Sequence, residues 1–260
     1  MTRPIKLYWS SGLKNGKKNF GDWLSPMLCE VISGRPTVYA KPDQCDLVAI
    51  GSILHRLKNH FWTRAVNVWG SGLIEEIRPF KTRHHIHAVR GHLTAKTILN
   101  CSPPALGDPG LLCNLLLPAG KKNKLTKIGL VPHYKDQQST TIKEIGKLPG
   151  VAIIDIFSET LDFIQQVNKC DLILSSSLHG LIVADALDVP NGWIKLSEKI
   201  RGKDFKFFDY YSVFGIEDIV PFTLTERTKI HDIEFWLEDY HRPNIDSIKE
   251  KLYSSFPRNI

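Results

Sequence analysis

The 260-residue sequence has no apolar run near the ~20 residues that a membrane-spanning helix needs. Its first residues, Met1 to Trp9, run straight into a strand-like segment and lack the long apolar core of a signal peptide. Both absences point to a cytoplasmic protein. Cysteine spacings typical of metal or redox sites are missing too. Cys29, Cys45, Cys101, Cys113 and Cys170 are odd in number and scattered, so reduced thiols are expected rather than disulfides or a zinc site. The glycines of Gly70-Ser71-Gly72 are too few for a dinucleotide-binding loop. Acidic residues are in deficit: 27 Asp and Glu stand against 34 Lys and Arg, a formal net charge of +7. Such an excess suits an anionic partner, whether nucleic acid, acidic lipid headgroups or a phosphorylated substrate. The positive charge is dispersed, apart from Lys121-Lys122-Asn123-Lys124 and a run from Lys195 to Lys206. Neither is interleaved with aromatics as a nucleic-acid module would be, so nucleic acid is not the expected partner.

The 42% hydrophobic content is sufficient for a packed core. The chain is organised around Cys170 to Leu187. Asp171 to Leu174 is an apolar run of strand length, and Ser175, Ser176 and Ser177 interrupt it. From Leu178 the apolar residues fall at helical spacing, with His179 in the first turn. A strand, a hydroxyl-rich turn and a helix place Ser175–Ser177 at the carboxyl end of a strand, where open α/β sheets bind ligands. Backbone N–H groups at the helix start, with the serine hydroxyls, suit a phosphate or carboxylate. His179 is placed to meet that anion and exchange a proton. The plain alternative is that a serine merely caps the helix and His179 packs.

Other segments repeat this grammar. Ile5 to Trp9 reads as a first strand. The polar loop after it contains Asn19-Phe20-Gly21-Asp22, with Asp22 as the expected cap of a helix from Trp23 to Ile32. Strands ending in small residues are expected at Asp46–Ile50, Ala65–Trp69 and His87–Val89, the last followed by a helix from Leu93 to Leu99. Arg90 sits at the end of an apolar strand, where its charge needs a partner. That partner is either a ligand anion or an internal acid such as Asp108. Lys127 to Val131 opens a second strand–helix series and leads to His133. Strands over Val151–Ile156, helices over Thr160–Lys169 and a helical tail over Ile230–Leu252 complete the expectation. The fold class is α/β: two Rossmann-like domains, residues 1–120 and 125–225, facing a cleft, with C-terminal helices (226–260) packing back on them. Asp22 and Arg90 would stand on one side of the cleft, His133 and His179 on the other.

Five motifs in order give this chain a family resemblance. They are Asn19-Phe20-Gly21-Asp22, Val89-Arg90-Gly91, Gly107-Asp108-Pro109, Ile128-Gly129-Leu130-Val131-Pro132-His133 and Ser175-Ser176-Ser177-Leu178-His179-Gly180. Together they resemble the polysaccharide pyruvyl transferase family, and in particular its bacterial exopolysaccharide branch. The resemblance implies a GT-B-like arrangement and transfer of pyruvate from phosphoenolpyruvate onto two hydroxyls of a sugar, with no cofactor and no metal. His179 matches the histidine of the family's Arg-Leu-His motif, and Ser177 stands where an arginine is often found. On this reading His179, Asp22 and His133 are the catalytic candidates. Arg90, Ser175, Ser176, Ser177 and Asn19 are the binding candidates, with Lys195, Arg201 or Lys206 supplying the charge absent at Ser177. Acceptors in such pathways are commonly lipid-linked, which puts the expected place of work at the inner membrane face. Two other readings of the same residues remain: a nucleotide-sugar glycosyltransferase of GT-B type, and a non-catalytic binder of anionic polymers.

Overall fold

A computed structural model describes residues 3–14, 16–118, 124–238 and 240–260. Lys121, Lys122 and Asn123, the expected domain boundary, lie outside the described residues.

The chain builds two wholly parallel sheets. The first has strands β1 (Ile5–Tyr8), β2 (Thr37–Tyr39), β3 (Leu47–Val48), β4 (Asn67–Trp69), β5 (His85–Val89) and β6 (Ala105–Leu106). Their spatial order is β2-β1-β3-β4-β5-β6. The second contains β7 (Thr126–Val131), β8 (Val151–Ile153), β9 (Cys170–Ser175) and β10 (Asn191–Trp193), in the order β10-β9-β7-β8. Parallel strands covered on both faces need near-continuous apolar sequence. Leu47-Val48 and Leu130-Val131 are buried without alternation, as that rule requires.

Helices link and cover the strands: α1 (Phe20–Ser33), α2 (His92–Thr97), α3 (Thr140–Ile145), α4 (Thr160–Asn168) and α5 (Leu178–Ala186). A 3-10 helix, Pro109–Leu116, packs against both α1 and α5. One hydrophobic cluster runs through all three and joins the sheets, from Leu7 and Trp69 to Val131, Ile173 and Trp193. Phe20 of α1 stacks on Phe163 of α4 at 3.5 Å between ring centroids, and Phe20 N–H donates to Ile156 O at 3.0 Å. The start of α1 is thereby fixed to the second sheet's side of the molecule.

The helix caps differ from the sequence expectation. Asn19, not Asp22, caps α1: its side-chain oxygen accepts from Gly21 N–H at 3.0 Å. The helix starts at Phe20, so Asp22 falls in its first turn, where its carboxylate meets the Ser10 hydroxyl instead of capping the helix. Likewise α2 spans His92–Thr97 rather than Leu93–Leu99. The basic run from Lys195 to Lys206 leads into α6 (Phe205–Tyr211), which packs on α2. The helical tail divides into α7 (Ile230–Trp236) and α8 (Ile245–Ser254), separated by Pro243 and by Asn244 at φ +59°. Ile233 and Leu237 join the core beneath the second sheet, whereas α8 returns to β6, where Leu252 O accepts from Trp69 Nε1 at 2.9 Å.

Candidate active site

A cavity of about 220 Å³ opens where the carboxyl ends of strands from both sheets converge. Asn19, Asp22, Arg90, His133, Ser177, His179, Arg201 and Lys206 line it. Of the residues expected from sequence, Ser175, Ser176 and Lys195 do not. Their other bonds explain why. The Ser175 hydroxyl is fully buried, 2.7 Å from Ser177 O and 3.0 Å from Val131 O, and it accepts from Ser177 N–H. Ser176 Oγ accepts from His133 N–H at 2.9 Å and donates to Asp136 Oδ2 at 2.8 Å. These two serines knit β9 to β7 and hold the His133 backbone in place. Lys195 Nζ is tied to Asp204 and Glu198 at 2.7 and 2.9 Å.

Arg90 follows β5 directly and is fully buried. Its internal partner is Asp209 of α6, not Asp108: Nε donates to Asp209 Oδ2 at 3.0 Å, and Nη2 lies 2.9 Å from the same oxygen. Nη1 donates to Ser52 Oγ and Nη2 to Leu73 O. Asp209 also accepts from the Thr94 N–H and hydroxyl, so the ion pair is enclosed by hydrogen bonds, as a buried pair must be to persist. Asp108 instead caps the 3-10 helix through Gly110 N–H, and burial pushes its carboxyl up to about 6.

His179 is in the first turn of α5, directly against α1. A Cβ built on Gly21 would lie 2.2 Å from His179 Nδ1, so only glycine at that position leaves room for the ring. Burial, reinforced by the positive charges of Lys206 and Arg90, lowers His179 to about 3. His133 is also lowered to about 3, by burial first and then by Lys206, Lys135, His179 and Lys14. Both imidazoles are neutral at pH 7. His133 Nδ1 accepts from Lys135 N–H at 3.3 Å, which assigns the ring proton to Nε2. Asp22 is raised to about 6 by burial, with Lys14, Arg56 and Lys206 pulling the other way. Lys206 is lowered to about 8 by burial and by Arg90.

The remaining wall comes from residues that sequence reasoning missed. Lys14, Arg56, Tyr134 and Lys135 face the cavity, with Ser10, Ser52 and His55. Tyr134 and Lys135 follow a strand end, so the rule that selected His133 could have found them. Lys14 and Arg56 lie farther along loops and carry no such local signal. Six cations thus border the cavity against one carboxylate, Asp22. Arg90 and Arg201 have acidic partners (Asp209 and, at 2.8 Å, Glu75). The lining presents positive charge to the cavity, with Asp22, His133 and His179 as titratable groups in its wall. Among the described residues no group of three His, Cys, Asp or Glu side chains is arranged to hold a metal ion. No helix among them is long and apolar enough to cross a membrane.

A protein of Acanthamoeba polyphaga mimivirus described as uncharacterised is 35% identical over 160 residues, 58% of this chain and 55% of its own length. The succinoglycan biosynthesis protein ExoV of Rhizobium meliloti is 28% identical over 240 residues, 90% of this chain and 73% of its own. The chain therefore spans about half the length of the first relative and about three quarters of the second. The model of the polysaccharide pyruvyl transferase family matches residues 3–198, which include every residue placed in the cavity except Ile200, Arg201 and Lys206, and the chain belongs to that family.

Proposed function

We propose that this protein transfers pyruvate from phosphoenolpyruvate onto two hydroxyls of a sugar during exopolysaccharide assembly. The observation that carries the reading is the cavity itself: an excess of cations surrounds two neutral histidines and one carboxylate of raised pKa. Phosphoenolpyruvate bears a phosphate and a carboxylate on a three-carbon frame, and it requires donors for both. Lys206, Lys14 and Lys135 supply charge without a bidentate fork, and Arg56 supplies the fork. The two sheets, each turning its strand ends to one cavity, support a GT-B-like arrangement of two Rossmann-like units (1–120 and 125–225) with the 226–260 tail folded back.

The chemistry needs two proton transfers. A proton added to the methylene carbon makes a methyl group and leaves C2 cationic, and a sugar hydroxyl attacks C2. The second hydroxyl then displaces phosphate to close the ketal. One hydroxyl proton balances the new methyl hydrogen and the other leaves with phosphate. Asp22, with a pKa of about 6, is poised to accept a hydroxyl proton and hand it on. His179 and His133 enter neutral and gain basicity once the anionic donor offsets the nearby cations. The acceptor is assigned to the lipid-linked class at the inner membrane face, in keeping with the net positive charge.

The test is thermal stabilisation by phosphoenolpyruvate beside UDP-glucose, GDP-mannose and inorganic phosphate. A rise in Tm specific to phosphoenolpyruvate and lost in Lys206→Met supports the reading. A rise with a nucleotide sugar alone replaces it with a glycosyltransferase.

A further inference from the structure

At the end of the first sheet opposite the cavity, the chain between Leu57 and Val66 turns outward. Phe61 and Trp62 at its tip are 80% and 69% exposed, more than almost any other large apolar side chain of the described residues. They are adjacent in sequence, and the Trp62 ring is held by His60 stacked on it at 4.8 Å and by Phe61 edge-on at 4.7 Å. Two exposed aromatics fixed at a loop tip are unfavourable in water and call for a cover.

The surroundings define the cover. From Leu54 to Ile74 there is no Asp or Glu, and none from Ile77 to Gly107. Lys58 and Arg64 flank the tip. Lys81 and Arg83 are brought beside it by hydrogen bonds from Asn59 Nδ2 to Lys81 O, from Arg83 N–H to Asn59 Oδ1 at 2.9 Å, and from Arg83 Nη1 to His60 O at 3.1 Å. Arg64 is matched by Asp46 at 2.6 Å. Among the described residues no carboxylate is ion-paired with exposed Lys58, Lys81 or Arg83. Amphipathic Trp, apolar Phe and a ring of cations are the composition that partitions into an anionic lipid interface.

We propose that the 58–64 loop, with Lys81 and Arg83, docks this protein on an anionic bilayer, Phe61 and Trp62 entering the headgroup region. Arg83 of the docking surface and Arg90 of the cavity lie at opposite ends of β5, one before the strand and one after it. Seven residues of extended chain span about 23 Å. Arg90 is thus held roughly that far from Arg83, while Arg56 brings another edge of the cavity within two residues of the loop.

The experiment is co-sedimentation of the full chain with vesicles of phosphatidylcholine alone and of phosphatidylcholine with phosphatidylglycerol. Binding is expected to the anionic vesicles only and to weaken as salt is raised. Phe61→Ala/Trp62→Ala and, separately, Lys58→Gln/Lys81→Gln/Arg83→Gln each lower it by about tenfold or more. All these side chains are exposed, so Tm and vesicle-free donor binding stay unchanged. Failure of the wild-type chain to bind anionic vesicles at low salt overturns the proposal, as does full binding by the aromatic variant. So does a wild-type dimer that the aromatic variant dissolves, which would assign the tip to a second copy of this chain. None of these failures touches the pyruvyl-transfer reading, which is tested by the donor alone.

Discussion

Two regions of the cavity wall handle buried charge in opposite ways. Around Arg90 every guanidinium nitrogen has a partner: Asp209, Ser52 and Leu73 O take the guanidinium, and Thr94 completes the carboxylate. Around Asp22, His133, His179 and Lys206 burial outweighs what the neighbours supply (Ser10 and three cations for Asp22, Asp204 and Asp22 for Lys206), and each group is pushed toward its neutral state. The first region is satisfied by the fold. The second is left to be satisfied by a ligand, and that is where chemistry is expected. Facing the cavity is therefore compatible with a structural duty, since Arg90 lines it while holding α6.

Breaking the satisfied region should have the largest effect on the fold. Asp209→Ala leaves the Arg90 charge buried without a counter-ion and should cost about 3–5 kcal/mol, lowering Tm by roughly 10 °C. A loss within a degree or two would show the pair to be dispensable and would return Arg90 to the ligand. The unsatisfied region should behave in the opposite way. His179→Ala is expected to reduce turnover by about a thousandfold with Tm nearly unchanged, and normal turnover would remove His179 from the mechanism. Lys206→Met should weaken phosphoenolpyruvate binding by about tenfold or more, measured by calorimetry, with little change in fold.

The pH profile sharpens the comparison further. Donor-limited kcat/KM should fall below about pH 6, where Asp22 takes up its proton, and above about pH 8, where Lys206 loses its charge. Asp22→Asn should remove the acid limb, and Lys206→Arg should move the alkaline limb upward. The smallest effect concerns stability. The folded-state pKa of Asp22 is raised, so burying its charge costs nothing well below pH 4. The cost grows as pH rises from the unfolded value of 3.8 to about 6, and is complete above that. Asp22→Asn should accordingly raise Tm by a few degrees at pH 7.5 and not at pH 4. An equal effect at both values would mean that Asp22 is not desolvated.

What could be read from the sequence was local. The strand ends leading into Arg90, His133 and the serine turn follow from short apolar runs broken by small or polar residues, and their convergence follows from parallel α/β topology. The roles within the serine turn could not be read, because the inward direction of the Ser175 and Ser176 hydroxyls depends on β7, some forty residues earlier. Arg90 was recognised as needing a partner, but Asp209 lies 119 residues away and nothing between them marks the pair. Asp108, close by in sequence, was the natural guess and is instead a cap. Lys206 was visible only as one charge in a basic run. Its place at the start of α6 depends on packing against α2.

The distance between Arg90 and Asp209 also has a meaning during synthesis. A ribosome adding roughly 5–20 residues per second needs about 6–24 s to travel from one to the other. Throughout that interval the first sheet contains an arginine whose buried place has no counter-charge, and Trp69 waits longer still for the Leu252 carbonyl. The first half of the nascent chain therefore has reason to stay open, or in the care of a chaperone, until its closing segments emerge.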